Sequence, residues 1–295
     1  MKNFESRILS PEDVVMVSTE AFDSSDPYDI LESNISVVND LFTEHLAPEE
    51  ISRCALMSYY VDFYIAQVNN GGFLQFGFNS DWSDEVIEFV RQGLRDMGAV
   101  RHQALLEEYM NDLGTLGMEA ASAAYINRNK PVYDHFLAID MRFYALAEVE
   151  NLVQINAAWL RRQANLRMLS AGELQQEIGR RSAALSDRNE RMKSALDAEP
   201  SHMKLIRALC HKSAQFLEQV TIGDQTLFHD GTTVRELTAE ELSKRASADL
   251  QVSWFFITNK GLHVMMETED KAIMFQFGTM LKIAEIDTSK DEINL

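Results

Sequence analysis

The segment Asn69-Asn-Gly-Gly-Phe-Leu-Gln-Phe-Gly-Phe-Asn-Ser80 is the most unusual local sequence in the first half of this chain. It follows an apolar run at helical spacing, from Ile51 to Val68, and it precedes an acidic segment. Asn and Gly tolerate the left-handed backbone conformation that ends many helices. The first four residues of the segment therefore predict a helix stop: Asn69, Asn70, Gly71 and Gly72.

The rest of the segment predicts a short helix that contributes to a core. Its phenylalanines are the predicted core residues: Phe73, Phe76 and Phe78. Gln75 and Asn79 lie one helical turn apart, and we expect them to hydrogen-bond the loop backbone because buried amides need partners. A structural role is the first interpretation of this segment, and direct contact with a partner is the second.

Helix starts surround this segment on both sides. Each combines a capping residue with Pro or acids in the first turn: Ser10-Pro11-Glu12-Asp13, Asp26-Pro27, Ala47-Pro48-Glu49-Glu50 and Ser83-Asp84-Glu85. Further helical patterns cover residues 100–113 and 132–165, and residues 166–213 are helical and more polar.

After residue 216 the spacing of apolar residues changes from the helical period to the alternation that is typical of β-strands. Predicted strands cover residues 252–258, 262–267 and 272–277, with a hairpin at Asp230-Gly231 and a helix-capping box at Thr238-Ala-Glu-Glu241. The chain is therefore predicted to be an α+β protein. Residues 1–165 form an all-α helical bundle, residues 166–215 a basic helical connector, and residues 216–295 a small β-rich domain.

Charge divides the chain in the same way. Of 295 residues, 46% are hydrophobic, and the net charge is −19. Residues 1–165 hold 26 acids and 11 bases, whereas residues 161–212 hold 11 bases and six acids. An acidic surface repels nucleic acid and anionic membranes and attracts basic partners. We therefore predict no direct nucleic-acid binding, no membrane binding and a cytoplasmic location. The basic connector is expected to form ion pairs within its own helices or with the acidic half.

Two rows of acids recur at the spacing that places side chains on one helix face. The first row surrounds the helix start at Pro27: Asp23, Asp26, Asp29 and Glu32. The second row surrounds the helix start at Ser83: Asp81, Asp84, Glu85 and Glu88. The positive end of the helix dipole offsets part of their mutual repulsion. The rows are either partner-binding surfaces or ordinary capping on solvated helix faces.

Motifs for catalysis and for cofactor binding are missing from the sequence. The seven histidines show no metal-binding spacing, and there is no nucleophile elbow, Walker A loop or dinucleotide motif. Glu44-His45 and His102 with Glu107-Glu108 are predicted surface pairs. Cys54 and Cys210 form no disulfide framework, and Cys54 is a predicted buried side chain. We expect no cofactor, no metal and no enzymatic activity, and leave open a carboxylate pair assembled by folding.

Three segments resemble the bacterial DNA-mimic protein family: residues 69–80, Gly98-Ala99 and Ile139-Asp-Met-Arg-Phe-Tyr-Ala-Leu146. The resemblance covers residues 30–165. The resemblance implies an all-α fold and a protein-binding role, in which an acidic surface occupies the DNA-binding face of a regulatory protein. Gln67 stands where that family's pattern leads us to expect an acid. The C-terminal tail has a weaker resemblance to bacterial pleckstrin-homology-like domains, through residues 225–229 and 254–263.

Three functions are consistent with these features. In the first, the acidic domain binds a basic DNA-binding protein and competes with DNA, with a homodimer as one possible assembly. In the second, the chain is a protein-interaction or immunity-type adaptor whose C-terminal β-rich domain carries the specificity. The third is an unrecognised hydrolase. Neutralising the second acidic row should abolish partner binding under the first hypothesis, and deleting residues 216–295 should do so under the second.

Overall fold

The computed structural model describes residues 13–127, 129–224, 227–229, 234–236, 238, 253–268 and 270–288. The chain forms two compact units, the first ending at Arg191 and the second beginning at Met192. The first unit is mostly helical, and the second contains a five-stranded antiparallel sheet. The prediction of an α+β fold is confirmed.

Helices make up most of the first unit. They are α1 (Thr19–Asp23), α2 (Pro27–Thr43), α3 (Arg53–Asn79), α4 (Asp84–Met97), α5 (Val100–Leu116), α6 (Met118–Asn127), α7 (Lys130–Leu146), α8 (Leu152–Arg161) and α9 (Ala171–Ala183). A 3-10 turn, Pro48–Glu50, precedes α3, and α10 (Arg188–Ala198) contains the boundary between the units. Strands β1 (Val15–Ser18) and β2 (Leu166–Leu169) form a parallel pair.

The long helix α3 is the centre of the first unit. It packs against α2, α4, α7 and α8. Its fully buried side chains include Val61, Tyr64 and Phe73. The neighbouring helices begin where the sequence predicts: the Asp26 carboxylate accepts the Tyr28 N–H at 2.8 Å at the start of α2. The Ser83 hydroxyl accepts the Val86 N–H at 3.4 Å at the start of α4. The two caps fix the helix starts that carry the acidic rows.

Four predictions of secondary structure in the first unit are wrong, and one of them is the helical assignment of residues 166–169, which form strand β2. Residues 10–12 lie outside the described part, and from Val15 the chain is strand rather than helix, because three buried apolar residues pair with β2. The segment Ala47–Glu50 forms only a 3-10 turn, and the α-helix begins at Arg53. The predicted helix over 132–165 is interrupted between α7 and α8, where the Asn151 side chain caps α8 by accepting the Gln154 N–H.

The second unit consists of one helix and antiparallel strands. Helix α11 spans Ser201–Lys212, and the strands are β3 (Leu217–Asp224), β4 (Leu227–His229), β5 (Val234–Glu236), β6 (Ser253–Thr258), β7 (Gly261–Glu267), β8 (Lys271–Gln276) and β9 (Leu281–Asp287). The sheet order is β3-β6-β7-β8-β9, and β4 pairs with β5. Leu205 and Leu209 of α11 pack in one cluster with Phe256 and Met274 of the sheet.

The three strands predicted after residue 250 are confirmed as β6, β7 and β8, and the sequence prediction missed β3 and β9. The predicted turn at Asp230-Gly231 and the capping-box residues 239–241 lie outside the described residues. The three-part division at residues 165 and 215 stays a prediction. Part of the predicted connector, helix α9, belongs to the first unit, where Leu174 and Ile178 join the core.

Candidate protein-binding surface

The Asn-Asn-Gly-Gly segment interrupts α3 with a kink. Asn69 and Asn70 are exposed before it, and the backbone leaves the helix at Gly71 (φ −159°, ψ 26°) and Gly72 (φ 77°, ψ −176°). The helix then resumes and runs to its end at residue 79. An ideal Cβ at Gly72 would lie 2.3 Å from Asp140 Oδ2. Glycine is required there by both the positive φ and the nearby carboxylate.

Asp140 of α7 holds the second half of α3 in place. Its Oδ1 accepts the Phe73 N–H at 2.8 Å, so it caps the first free amide after the kink. Burial raises the pKa of Asp140, and the hydrogen bond from Phe73 opposes the rise. Burial, with the charge of Asp140 as the next cause, raises the pKa of both the Tyr64 and Tyr109 hydroxyls. The hydrogen bond from the Phe73 N–H to Asp140 therefore connects the segment 139–146 of α7 to the glycine segment of α3.

The sequence led us to expect that Gln75 and Asn79 would hydrogen-bond the loop backbone. Their side-chain amides bond another side chain instead. Gln75 Nε2 donates to Gln67 Oε1 at 3.1 Å, and Asn79 Nδ2 donates to the same oxygen at 2.6 Å. The Tyr125 hydroxyl donates to Gln75 Oε1 at 3.3 Å. A continuous helix would separate residues 67 and 79 by about 18 Å, so this contact shows that the kink is sharp.

The phenylalanines of the segment are divided between the core and the surface. Phe73 and Phe76 are buried, as predicted. Phe78 is 36% exposed and its ring packs at a tilt against that of Tyr125, with centroids 4.7 Å apart, so its assignment to the core is wrong. The segment acts mainly as a structural hinge that directs the chain towards the start of α4.

The acidic row at α4 begins in a constrained turn. Asp81 and Trp82 both have positive φ angles, 51° and 52°. The Trp82 indole N–H donates to Ser122 Oγ at 2.7 Å, which anchors the turn. Asp81, Asp84 and Glu85 are exposed there. The turn therefore fixes three carboxylates at the positive end of the helix dipole.

Glu88 differs from the other members of its row. It is half-buried, and its carboxylate pairs with Arg91 at 2.8 Å. Hydrogen bonds from Arg91 and Gln92 lower the pKa of Glu88. Arg91 also pairs with Glu107 of α5. Glu88 is therefore partly neutralised, and the free charge of this row lies at its N-terminal end.

The acidic row at α2 has a mixed character. Asp23, Asp26 and Glu32 are exposed, and Asp29 is half-buried and accepts a hydrogen bond from the Ser24 hydroxyl. None of these four carboxylates forms an ion pair with another described residue. The Arg161 guanidinium lies nearby and donates to the Ser24 carbonyl at 3.1 Å. The base therefore contacts the backbone beside this row and none of its four carboxylates.

The two rows open on separate grooves. Asp29 and Glu32 line a groove of about 490 Å³ between α2 and α9, which we call the α2–α9 groove. Glu85 and Glu88 line a groove of about 660 Å³ beside the starts of α3 and α4, which we call the α3–α4 groove. Four acids outside the two rows also line these grooves, Glu20 and Asp40 in the first and Asp13 and Glu49 in the second. Glu20 precedes Asp23 by three residues and could have been found by extending that row.

Basic residues from the connector neutralise other acids of the first unit. Arg191 forms a two-pronged pair with the buried Glu50, at 2.6 and 3.0 Å. Arg188 pairs with Glu44 at 2.9 Å, and the Ser182 hydroxyl donates to the same carboxylate oxygen at 2.6 Å. The expected docking of connector bases on the acidic half occurs here, within one chain. Glu44 and Glu50 are therefore paired within the fold, and the acids of the two rows other than Glu88 keep their surface charge.

One more carboxylate is almost buried. Asp62 of α3 is 8% exposed, and burial raises its pKa to about 6. Burial is also the main cause that raises the pKa values of Tyr28 and Tyr59, and the charge of Asp62 adds to both shifts. This group is a source of pH-dependent stability and contributes little to a surface.

Potential metal ligands do not cluster in the part of the chain that the structure describes. There, His, Cys, Asp and Glu side chains form no group of three that could hold a metal ion. His102 is buried rather than on the surface, and its Nε2 lies 3.1 Å from the Glu150 carbonyl oxygen. Cys54 is half-buried and lines the α3–α4 groove. Among the described helices, none combines the length and the apolar composition that a membrane span requires.

Comparison with known proteins supports the resemblance in the first unit. Residues 49–163 match a family model described as DMP19-like protein. The match contains α3 to α8, including the kink, Asp140 and the acidic row at α4. It gives no support to a pleckstrin-homology-like tail, since it ends before the second unit. No curated protein and no solved structure matches the chain. The similarity to DMP19-like protein is therefore limited to residues 49–163 of the first unit.

Proposed function

We propose that the first unit is a non-enzymatic, DNA-mimic-like module that binds a basic nucleic-acid-binding regulatory protein and competes with DNA for it. The observation that supports this most is the acidic start of α4. Asp81, Asp84 and Glu85 are exposed there, and none of them forms an ion pair with another described residue. They lie within the segment that matches the DMP19-like family.

The spacing of these acids is compatible with mimicry. Three residues of helix rise about 4.5 Å, and one DNA strand presents a phosphate about every 3.4 Å of axis. The carboxylates of one acidic row are therefore spaced slightly more widely than the phosphates of one DNA strand. A cap and an anchored turn hold the α4 row, so a partner meets charges that are already positioned. Such attraction speeds association and weakens as salt is added.

Neutralisation of the α4 row tests the proposal. The variant combines Asp81→Asn, Asp84→Asn, Glu85→Gln and Glu88→Gln. We expect it to lose capture of the basic partner from host lysate while its far-UV circular dichroism stays unchanged. A control variant makes the same change in net charge at scattered exposed acids: Asp96→Asn, Glu119→Gln, Glu190→Gln and Asp197→Asn. Equal capture by both variants would show that overall charge, and not this row, determines binding.

The alternative function as an adaptor is favoured by one feature of the second unit. Leu262, Phe277 and Leu281 meet at one end of the sheet, where Phe277 is 45% and Leu281 is 62% exposed. Exposed apolar patches often bind proteins. Under this alternative, Phe277→Glu combined with Leu281→Glu removes partner capture, and the α4-row variant keeps it. The two variants therefore separate the two functions.

We also propose that the chain self-associates through the outward face of α7. Leu137 is 50% and Met141 is 59% exposed there, one turn apart, and the neighbouring Ala138 and Ala145 are exposed as well. In an antiparallel pairing of two copies, Leu137 meets Met141 and Lys130 meets Glu148 of the other copy, which places opposite charges together. Sedimentation velocity from about 1 to 100 µM should show a dimer that Met141→Glu abolishes. A wild-type monomer at the highest concentration would contradict this assembly.

A further inference from the structure

The α3–α4 groove combines an apolar floor with an acidic rim. Its floor contains side chains from the 3-10 turn region, α3 and α4: Ile51, Cys54, Leu56, Met57 and Phe89. Its rim carries four acids: Asp13, Glu49, Glu85 and Glu88. The volume of about 660 Å³ lies in the range of protein sites that enclose a ligand group.

The charge that the rim presents to a ligand is negative. Glu49 and Glu85 are exposed and form no ion pair with any described residue. Arg53, a base that lines the groove, donates from its Nε to Gln92 Oε1 at 3.1 Å, and its guanidinium lies 5.3 Å from the ring centroid of Phe89 on the floor. Its single positive charge is outnumbered by the four carboxylates of the rim. The rim therefore repels phosphates and acidic peptides and attracts ammonium and guanidinium groups.

The floor gives the groove a property that charge mimicry does not require. Burial is the main cause that raises the pKa of the Cys54 thiol, with the charges of Asp13 and Asp96 adding to it, so the thiol stays neutral near pH 7. Met57 and Phe89 are buried against neighbouring helices, which keeps the floor rigid. A purely electrostatic ligand would gain nothing from these contacts.

We propose that the α3–α4 groove binds a basic amphipathic segment of the partner protein, with one or two apolar side chains on the floor and flanking Lys or Arg side chains on the rim. The inference rests on the proposed function, because it names the part of the basic partner that the acidic unit recognises. The complementary charge of the rim selects this occupant. The apolar floor supplies a contact that added salt does not screen.

Two labelled 12-residue peptides test the inference by fluorescence anisotropy with the full chain. Both carry six Lys, and they differ only in that two Leu of the first are Ser in the second. We expect the Leu peptide to bind about ten-fold more tightly or better, because burying a Leu side chain contributes about the free energy of a ten-fold change in affinity. The preference should persist at raised salt, while both affinities fall.

Variants then locate the binding site. Cys54→Phe fills the groove without changing the charge, and we expect it to remove the Leu preference while thermal melting shows an intact fold. If that variant fails to fold, Glu49→Lys provides the test. It should weaken the Leu peptide about three- to ten-fold at low salt, whereas Glu119→Lys, the same change on an exposed part of α6, should have little effect.

The outcomes distinguish this inference from the proposed function. Equal affinity for the two peptides, or an unchanged preference in Cys54→Phe, would overturn the groove assignment. Cys54→Phe that converts a dimer to a monomer with peptide affinity unchanged would assign the groove to a second copy and also overturn it. If the Leu preference depends on the groove but duplex DNA displaces no partner, the groove inference stands and DNA mimicry fails. If DNA displaces the partner but the peptides do not differ, mimicry stands and the groove inference fails.

Discussion

Replacing Gly72 with Ala is expected to lower the free energy of unfolding of the first unit by about 3 kcal/mol. Two physical terms contribute. The backbone at Gly72 (φ 77°, ψ −176°) lies in a region that non-glycine residues occupy at a cost of about 1–3 kcal/mol. The new Cβ would also lie 2.3 Å from Asp140 Oδ2 and must displace that carboxylate. The Phe73 N–H then loses its 2.8 Å hydrogen bond, a further loss of about 1–2 kcal/mol.

Gly98→Ala is the matched control. Gly98 also has a positive φ, 76°, but an ideal Cβ there has nothing within 4 Å. Gly98→Ala should therefore lower the free energy of unfolding only through backbone strain, by about 1 kcal/mol. Urea unfolding followed by far-UV circular dichroism measures both variants. With a urea slope of about 2–3 kcal/mol per molar, Gly72→Ala should move the midpoint down by about 1 M, and Gly98→Ala by less than half of that.

The role of Asp140 can be tested separately. In an Asp140→Ala background the carboxylate is absent, so Gly72→Ala should cost about 1–2 kcal/mol less than in the wild type. Equal midpoint shifts for Gly72→Ala and Gly98→Ala, or additive effects of the Gly72 and Asp140 changes, would refute the coupling between the kink and α7.

Further predictions concern the buried ionisable groups. Arg191→Ala leaves the buried Glu50 without its two-pronged partner and should lower stability by about 3 kcal/mol in urea titration. Lys130→Ala breaks an exposed pair with Asp134 and should lower the free energy of unfolding by less than about 0.5 kcal/mol. Equal losses of stability in Arg191→Ala and Lys130→Ala would contradict the distinction between a buried and an exposed pair. Because burial raises the pKa of Asp62 from 3.8 to about 6, the folded protein binds the extra proton between these values, and stability falls as pH rises through that window. Asp62→Asn should remove this slope and stabilise the protein by about 1–2 kcal/mol at pH 8 but not at pH 4, measured by melting at both pH values. A Tm difference that is equal at both would contradict it. Burial raises the pKa of Cys210 to about 11, so iodoacetamide at pH 8 should modify it only after unfolding.

Local chemistry made the interruption at Gly71-Gly72 predictable from sequence. A left-handed backbone needs Gly or Asn, and that requirement is visible without knowing any neighbour. The same holds for the Asp26 and Ser83 caps and for the strands rich in aromatic and branched residues after residue 250. In each case, short-range spacing alone specifies the element.

Contacts between distant residues explain what sequence reasoning missed. Strand β1 is short and forms because β2, about 150 residues later, pairs with it. Asp140 caps Phe73 across 67 residues, and Arg191 reaches Glu50 across 141. No local pattern indicates these pairs. The acidic rows could be identified from their spacing, but their separation onto two grooves depends on where α9 and the 3-10 turn pack.

DNA mimicry by the first unit is tested by capture from native host lysate on the immobilised full chain, eluted by salt steps and, in parallel, by duplex DNA. We expect a basic DNA-binding protein that is released at moderate salt, is displaced by duplex DNA, and is not captured by the variant neutralised at Asp81, Asp84, Glu85 and Glu88. A captured partner that resists both salt and DNA, and that the neutralised variant still binds, would contradict it.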